Sequence, residues 1–211
     1  MKILGITGGI GSGKSYVSHI LSSQYGIPVY DCDTEAKRLN EESGTIRQAL
    51  LQLVGPDVYD AQGHLRKAIL AQFLFQGPDH QQAVNAIIHP VVRQDFCQWS
   101  QRQGSPIVAL ESAILLESGF SHLADAILTV TAPIELRIQR AIRRDTTTAE
   151  QVERRICLQT TDEQRIAHSH FVIHNDGRPL EPQITELLGQ LLEIESQAIG
   201  TCPPGASKPE T

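Results

Sequence analysis

The chain has no basic tract, no long apolar run and no closely spaced cysteines, and each absence narrows its chemistry. Lys and Arg total 18 against 24 Asp and Glu, for a formal net charge of -6 over 211 residues. That balance argues against nucleic acid as a partner, since binding its phosphates needs gathered positive charge. Any anion must be met by cations collected locally. No apolar stretch is long enough to span a bilayer, and no charged and apolar leader precedes the first apolar run. A cytoplasmic protein with no membrane partner is expected. Cys32, Cys97, Cys157 and Cys202 form no C-x-x-C pair, so neither a zinc site nor a disulfide framework is indicated, and reduced thiols are expected. No internal repeat is visible. Hydrophobic residues make up 40%, enough for one α/β core with room for an insertion.

What is present begins at residue 5. "GITGGIGSGKS" places five glycines in eleven residues and ends on a lysine and a serine. From Gly8 the spacing is G-x-x-x-x-G-K-S, a phosphate-binding loop, in which glycines let successive N–H groups curl around a phosphate. Gly9, Ile10, Gly11, Ser12, Gly13, Lys14, Ser15 and Tyr16 are therefore the expected nucleotide-binding residues. The loop follows an apolar run, "MKILGIT", and precedes "KSYVSHILSS", where Val17, Ile20 and Leu21 recur at helical spacing. Strand, loop, helix delivers a phosphate to a helix N-terminus, where unpaired N–H groups and the macrodipole favour negative charge. Lys14 would reach the β- and γ-phosphates of ATP, and the Ser15 hydroxyl would help hold Mg²⁺. The bland alternative is a glycine-rich turn with a solvated lysine.

Further short apolar runs, "IPVYDCD", "SPIVALES", "AILTVTA" and "HFVIHN", read as strands separated by helices. The expected fold class is α/β: a parallel five-stranded sheet with helices on both faces, of P-loop kinase type. Residues 34–105 lack a convincing strand and carry helical periodicity, so they read as a helical insertion on the substrate side, or as packing alone. The core is expected over 1–33 and 106–195, with a helical lid at about 137–168 and a disordered tail over 196–211. The last helix, from about Leu180 through Ile194, has Ile184, Leu187, Leu188 and Leu191 on one face.

Ligands of such sheets collect at the carboxyl ends of strands, where "VYDCDTEAKRL" puts Asp31 and Asp33. Two apart in an extended segment they would face the same way, one taking a proton from an attacking hydroxyl and the other assisting Mg²⁺ through water. Alternatively Asp33 caps a helix starting at Thr34. Glu111, closing the third run, either contacts metal-bound water or caps a helix. "APIELRIQRAIRRDTTTAEQVERRICLQ" gathers Arg137, Arg140, Arg143, Arg144, Arg154 and Arg155, with Arg140 and Arg144 on one face. Thr147 and Glu150 stand at capping-box spacing, so a helix ends near Asp145 and another follows. The segment is either a lid carrying arginines to phosphate or a solvated basic helix. His168, His170 and His174 read as edge or surface residues, and His89 before Pro90 as a cap at a helical break. No guanine-reading N-K-x-D is present, which argues against a GTP-dependent switch. "DAQG" at Asp60 follows a turn instead of a buried strand.

Together these residues resemble the dephospho-coenzyme A kinase family from Lys2 to about Leu191. The resemblance rests on "GITGGIGSGKS", "DCD", "IIHP", "LLES", "RRD", "RICLQ" and "VIHND". It implies ATP and Mg²⁺ as cofactors and transfer of phosphate to the ribose 3′-hydroxyl of dephospho-coenzyme A. Asp33 would be the general base, with Lys14, Arg140 and Arg144 at the transferring phosphate, Arg144 also serving nucleotide binding. Arg66 and His89 would meet the acceptor, with Thr7, Leu116 and Glu117 beside them, and Asn175 to Gly177 would flank adenine. The family commonly has an Asp, then a proline, ahead of its "LL", where this chain has Glu111 and Ala113, and "HSH" replaces an acidic residue. A monomer or weak homo-oligomer is expected. The alternative is a kinase for a nucleoside, a nucleotide or another small hydroxyl acceptor.

Overall fold

A computed structural model describes residues 1–194. Residue 195 of the expected core, the expected tail over 196–211 and Cys202 lie outside the described residues. In chain order the elements are β1 (Lys2–Thr7), α1 (Lys14–Tyr25), β2 (Val29–Asp31), α2 (Cys32–Glu42), α3 (Gly44–Leu53), α4 (Lys67–Leu74), α5 (Pro78–Gln101), β3 (Ile107–Glu111), β4 (Ala126–Thr131), α6 (Ile134–Asp145), α7 (Ala149–Cys157), α8 (Asp162–Ala167), β5 (Phe171–His174) and α9 (Leu180–Glu193). The strands form one sheet in the order β2-β3-β1-β4-β5. β1 pairs in parallel with β3 and β4, and β4 with β5.

The expected α/β class and all five strands are therefore present, with trimmed ends. The strands read as continuous apolar runs because they are covered by helices. Leu4, Ile6, Leu128, Val130 and Ile173 from the sheet share a core with Val17, Ile20 and Leu21 of α1 and Ile184, Leu187 and Leu191 of α9. Their burial removes apolar surface from water at roughly 25 cal/mol per Å².

The chain divides into two compact units, Met1–Val29 with the chain from Gln103 onward, and Tyr30–Arg102. In the second, Tyr30 meets Phe96 and Trp99 at ring-centroid distances of 5.3 Å each, and its hydroxyl donates to Asp95 Oδ2 at 2.7 Å. Burial, then the Asp95 carboxylate, pushes the Tyr30 pKa well up. α2, α3 and α4 each pack against α5. This helix runs unbroken through Pro90, so His89 caps no break. Pro90 costs one backbone bond, which the helix tolerates.

Three local readings change. "IPVYDCD" is strand only to Asp31, and Cys32 and Asp33 already belong to α2. Asp31 is the cap, its Oδ1 accepting from the N–H groups of Asp33 at 3.0 Å and Thr34 at 3.2 Å and its Oδ2 from Thr34 Oγ1 at 2.7 Å. The helix begins two residues before the expected start at Thr34, so the two aspartates share no strand face. The capping box of α7 is Thr148 with Gln151, one residue beyond Thr147 and Glu150, because Thr146 takes a left-handed turn (φ 50°) to end α6. Cys32, buried, and Cys157, exposed, are free thiols, as expected.

Candidate active site

The loop between β1 and α1 owes its shape to left-handed glycines. Gly11 has φ 74° and Gly13 φ 97°, conformations that cost little only without a Cβ. Gly13 precedes α1 with no capping side chain, and the first turn of α1 carries no acidic residue. Its leading N–H groups and positive dipole end therefore suit an anion. Lys14 Nζ donates to the Gly8 carbonyl at 3.0 Å, holding an ammonium group over the loop. Ser15 Oγ donates to Glu111 Oε1 at 2.8 Å, and Glu111 is only 6% exposed at the end of β3. Two hard oxygen donors so placed fit Mg²⁺, which takes one or two protein oxygens and keeps water on its remaining positions.

α6 brings arginines to the same loop. Arg137 Nε donates to the Ile10 carbonyl at 3.0 Å, and its Nη1 to Asp162 Oδ2 at 2.8 Å. Arg140 Nη1 lies 3.4 Å from the Ser12 carbonyl and its Nη2 3.3 Å from Asn175 Oδ1. Asn175, just past β5, donates from Nδ2 to the Ser12 carbonyl at 2.9 Å. Arg144 does not join them. It is 64% exposed and makes a two-point pair with Asp145, whose carboxyl Arg144 and then Arg155 hold below its ordinary value. A groove of about 320 Å³ lined by Leu136, Gln139, Arg140, Arg143 and Arg144 runs along α6.

Of the remaining nucleotide-side candidates, Tyr16 is exposed and Gly177 takes φ 107°. Thr7 and Ser12 are fully enclosed, and neither hydroxyl has a hydrogen-bond partner among the described residues. Leu116 is half-buried, while Glu117 is exposed and accepts from Thr160 Oγ1. In the Tyr30–Arg102 unit, Asp33 sits exposed in the first turn of α2 and Arg66 exposed at the start of α4. His89 is half-buried on α5, where burial and then Arg93 lower its pKa. Among the histidines singled out beside β5, His170 Nδ1 accepts from the Ile127 N–H at 3.1 Å and His168 Nδ1 lies 2.7 Å from the Gln164 carbonyl. No group of His, Cys, Asp or Glu able to hold a metal ion occurs among the described residues. The sequence reading gathered Arg137 with the other arginines of its segment but gave it no role of its own, and it gave none to Gln159 or Asp162. Arg137 stands three before Arg140, hence on the same helix face, which was the available signal. Nothing in the sequence ties Gln159 or Asp162 to the loop.

A phosphate loop opening the first helix of a parallel sheet in this strand order defines a P-loop kinase. Solved kinases share the fold: dephospho-CoA kinase from Campylobacter jejuni superposes with a TM-score of 0.63 at 20% identity, covering 92% of this chain and 98% of that one. Shikimate kinase from Acinetobacter baumannii does so at 0.54 and 16%, covering 92% and 94%. The chain belongs to the dephospho-CoA kinase family, whose model matches residues 2–181. It is 48% identical over 192 residues to the dephospho-CoA kinase of Bacteroides fragilis, covering 90% of this chain and 93% of that protein. The crystal structure of a Thermus thermophilus protein superposes with a TM-score of 0.78 at 34% identity, over 92% of this chain and 98% of that one.

Proposed function

We propose that the protein transfers the γ-phosphoryl group of ATP to the ribose 3′-hydroxyl of dephospho-coenzyme A, giving coenzyme A. The observation that carries this reading is the loop itself. Lys14 and Arg140 stand over it at hydrogen-bonding distance from its carbonyls, in a chain of this family. Bound ATP supplies the phosphoryl group, and Mg²⁺ supplies neutralising charge on its oxygens. Lys14 and Arg140 hold positive charge where the loop receives phosphate, and the α1 N-terminus adds its dipole. Ser15, oriented by Glu111, presents its oxygen to the metal. Asp33 takes the proton from the 3′-hydroxyl. Asp31 caps α2, so helix termination does not require Asp33.

On the acceptor side, Arg66, His89, Leu116 and Glu117 contact dephospho-coenzyme A, and residues 34–105 form its binding insertion. On the donor side, Gly9 to Tyr16, Arg144, Asn175 and Gly177 bind the nucleotide, and residues 137–168 act as the lid. The reading carries a cytoplasmic enzyme, monomeric or weakly self-associating. Initial rates with dephospho-coenzyme A, adenosine, AMP and shikimate test it. Remote contacts to the pantetheine arm should raise kcat/KM for dephospho-coenzyme A by at least about 10²-fold over the others. Equal rates with adenosine would overturn the acceptor assignment.

A further inference from the structure

The Ile10 peptide is held from both sides. Its N–H donates to Gln159 Oε1 at 2.9 Å, and its carbonyl accepts from Arg137 Nε at 3.0 Å. Arg137 is 4% exposed, and its guanidinium lies against Gly9, where an added Cβ would collide with Nη2 and stand 2.6 Å from Cζ and 3.1 Å from Nη1. At Gly11 a Cβ would meet the Arg137 backbone, 2.8 Å from its carbonyl carbon. Two loop glycines are thus packed against one arginine of α6. Gly9 does not need glycine for its backbone, since its φ lies outside the left-handed range that Gly8, Gly11 and Gly13 occupy.

The arginine is itself anchored. Asp162 Oδ2 accepts from Arg137 Nη1 and, at 3.1 Å, from Thr131 Oγ1, while Oδ1 accepts from Arg165 Nη1 at 3.1 Å. Arg165 is 1% exposed. One carboxylate therefore bridges two enclosed guanidiniums. Such an arrangement stabilises a fold little compared with apolar packing, because desolvation opposes the attraction. What it does supply is fixed geometry: a planar guanidinium, donating from Nε to the loop carbonyl and from Nη1 to the carboxylate at the start of α8, holds the two at a set spacing and angle, whereas a lysine's compact, rotating ammonium imposes no such orientation.

We propose that Arg137 is a positioning residue of the phosphate loop, anchored by Asp162, and that Gly9 is glycine to admit the Arg137 guanidinium. The proposal deepens the kinase reading and rests on it for turnover. Its nucleotide-binding test needs no acceptor.

The experiment is a double-mutant cycle of Arg137→Ala and Gly9→Ala, read by calorimetric titration with MgATP alone and by kcat and KM for ATP. Each single substitution should weaken MgATP binding about tenfold, and the double should be no weaker than the worse single, because the alanine at 9 then has nothing to displace. KM for dephospho-coenzyme A should change less than about twofold. Melting is followed in parallel, since a purely structural role would lower the melting temperature and leave MgATP affinity unchanged well below it. Unchanged affinity in Arg137→Ala would overturn the proposal. So would a Gly9→Ala penalty of equal size in both backgrounds, which would assign the glycine to the nucleotide. If Arg137→Ala does not fold, Arg137→Lys replaces it in the cycle, with the same non-additivity expected and full additivity as the contrary result.

Discussion

Ser15 Oγ donates a 2.8 Å hydrogen bond to Glu111 Oε1, joining the first turn of α1 to the carboxyl end of β3. The pairing of β1 with β3, which sets Ile6 opposite Glu111, brings the carboxylate there. If this pair orients the metal-binding hydroxyl, Glu111→Gln should raise the Mg²⁺ concentration for half-maximal rate by about tenfold, the usual scale for a group that orients a ligand. Rates measured across a Mg²⁺ titration at saturating substrates check this. An unmoved midpoint would leave Glu111 a structural hydrogen-bond acceptor.

Lys14 Nζ donates to the Gly8 carbonyl in the loop between β1 and α1. Lys14→Ala should keep the melting temperature within a few degrees and lower kcat by at least about 10²-fold, the loss of one preorganised electrostatic contact. Steady-state rates on folded protein decide it, and near-normal turnover would remove the lysine from the mechanism.

Asp31 and Asp33 should separate cleanly. Asp31→Ala removes three accepted hydrogen bonds at the start of α2 and should cost about 1 kcal/mol of stability. Asp33→Asn should melt like the parent but lose about 10² to 10⁴ in kcat, as expected when a general base becomes an amide. Thermal melts and turnover on both variants check the division. Stability loss in Asp33→Asn with unchanged turnover would reverse it.

The contrast between those two aspartates also marks what a sequence can carry. The loop and the strands around it were legible because glycine at left-handed positions and doubly covered strands leave unambiguous patterns, as Gly13 and the run through Ile6 show. Cap assignments slipped by one or two residues at Asp31 and at Thr148. Ser, Thr and Asp recur in both segments, and only backbone dihedrals choose among them. The partners of Arg137 were illegible for a different reason. Its carboxylate partner Asp162 lies on a later helix, and its loop partner Ile10, which Gln159 also holds, lies more than a hundred residues back in the chain; no local pattern encodes either closure.

His89 supplies a pH dependence. Burial, followed by Arg93, lowers its pKa from the ordinary 6.5, so the folded state binds fewer protons than the unfolded one. Stability from this group is fully present above about pH 6.5 and is lost as pH falls through the lower folded value. The melting temperature of the parent should therefore drop more steeply between about pH 7 and 5 than that of His89→Gln. Melts across that range test this, and parallel curves would contradict it.

The position of the transferred phosphate decides the reaction. Protein incubated with MgATP and dephospho-coenzyme A should release ADP and yield a single new compound. Phosphorus NMR should show an added monoester, coupled to the ribose 3′ position. A phosphate on any other oxygen, or ADP-forming activity on other acceptors with dephospho-coenzyme A left unphosphorylated, would contradict it.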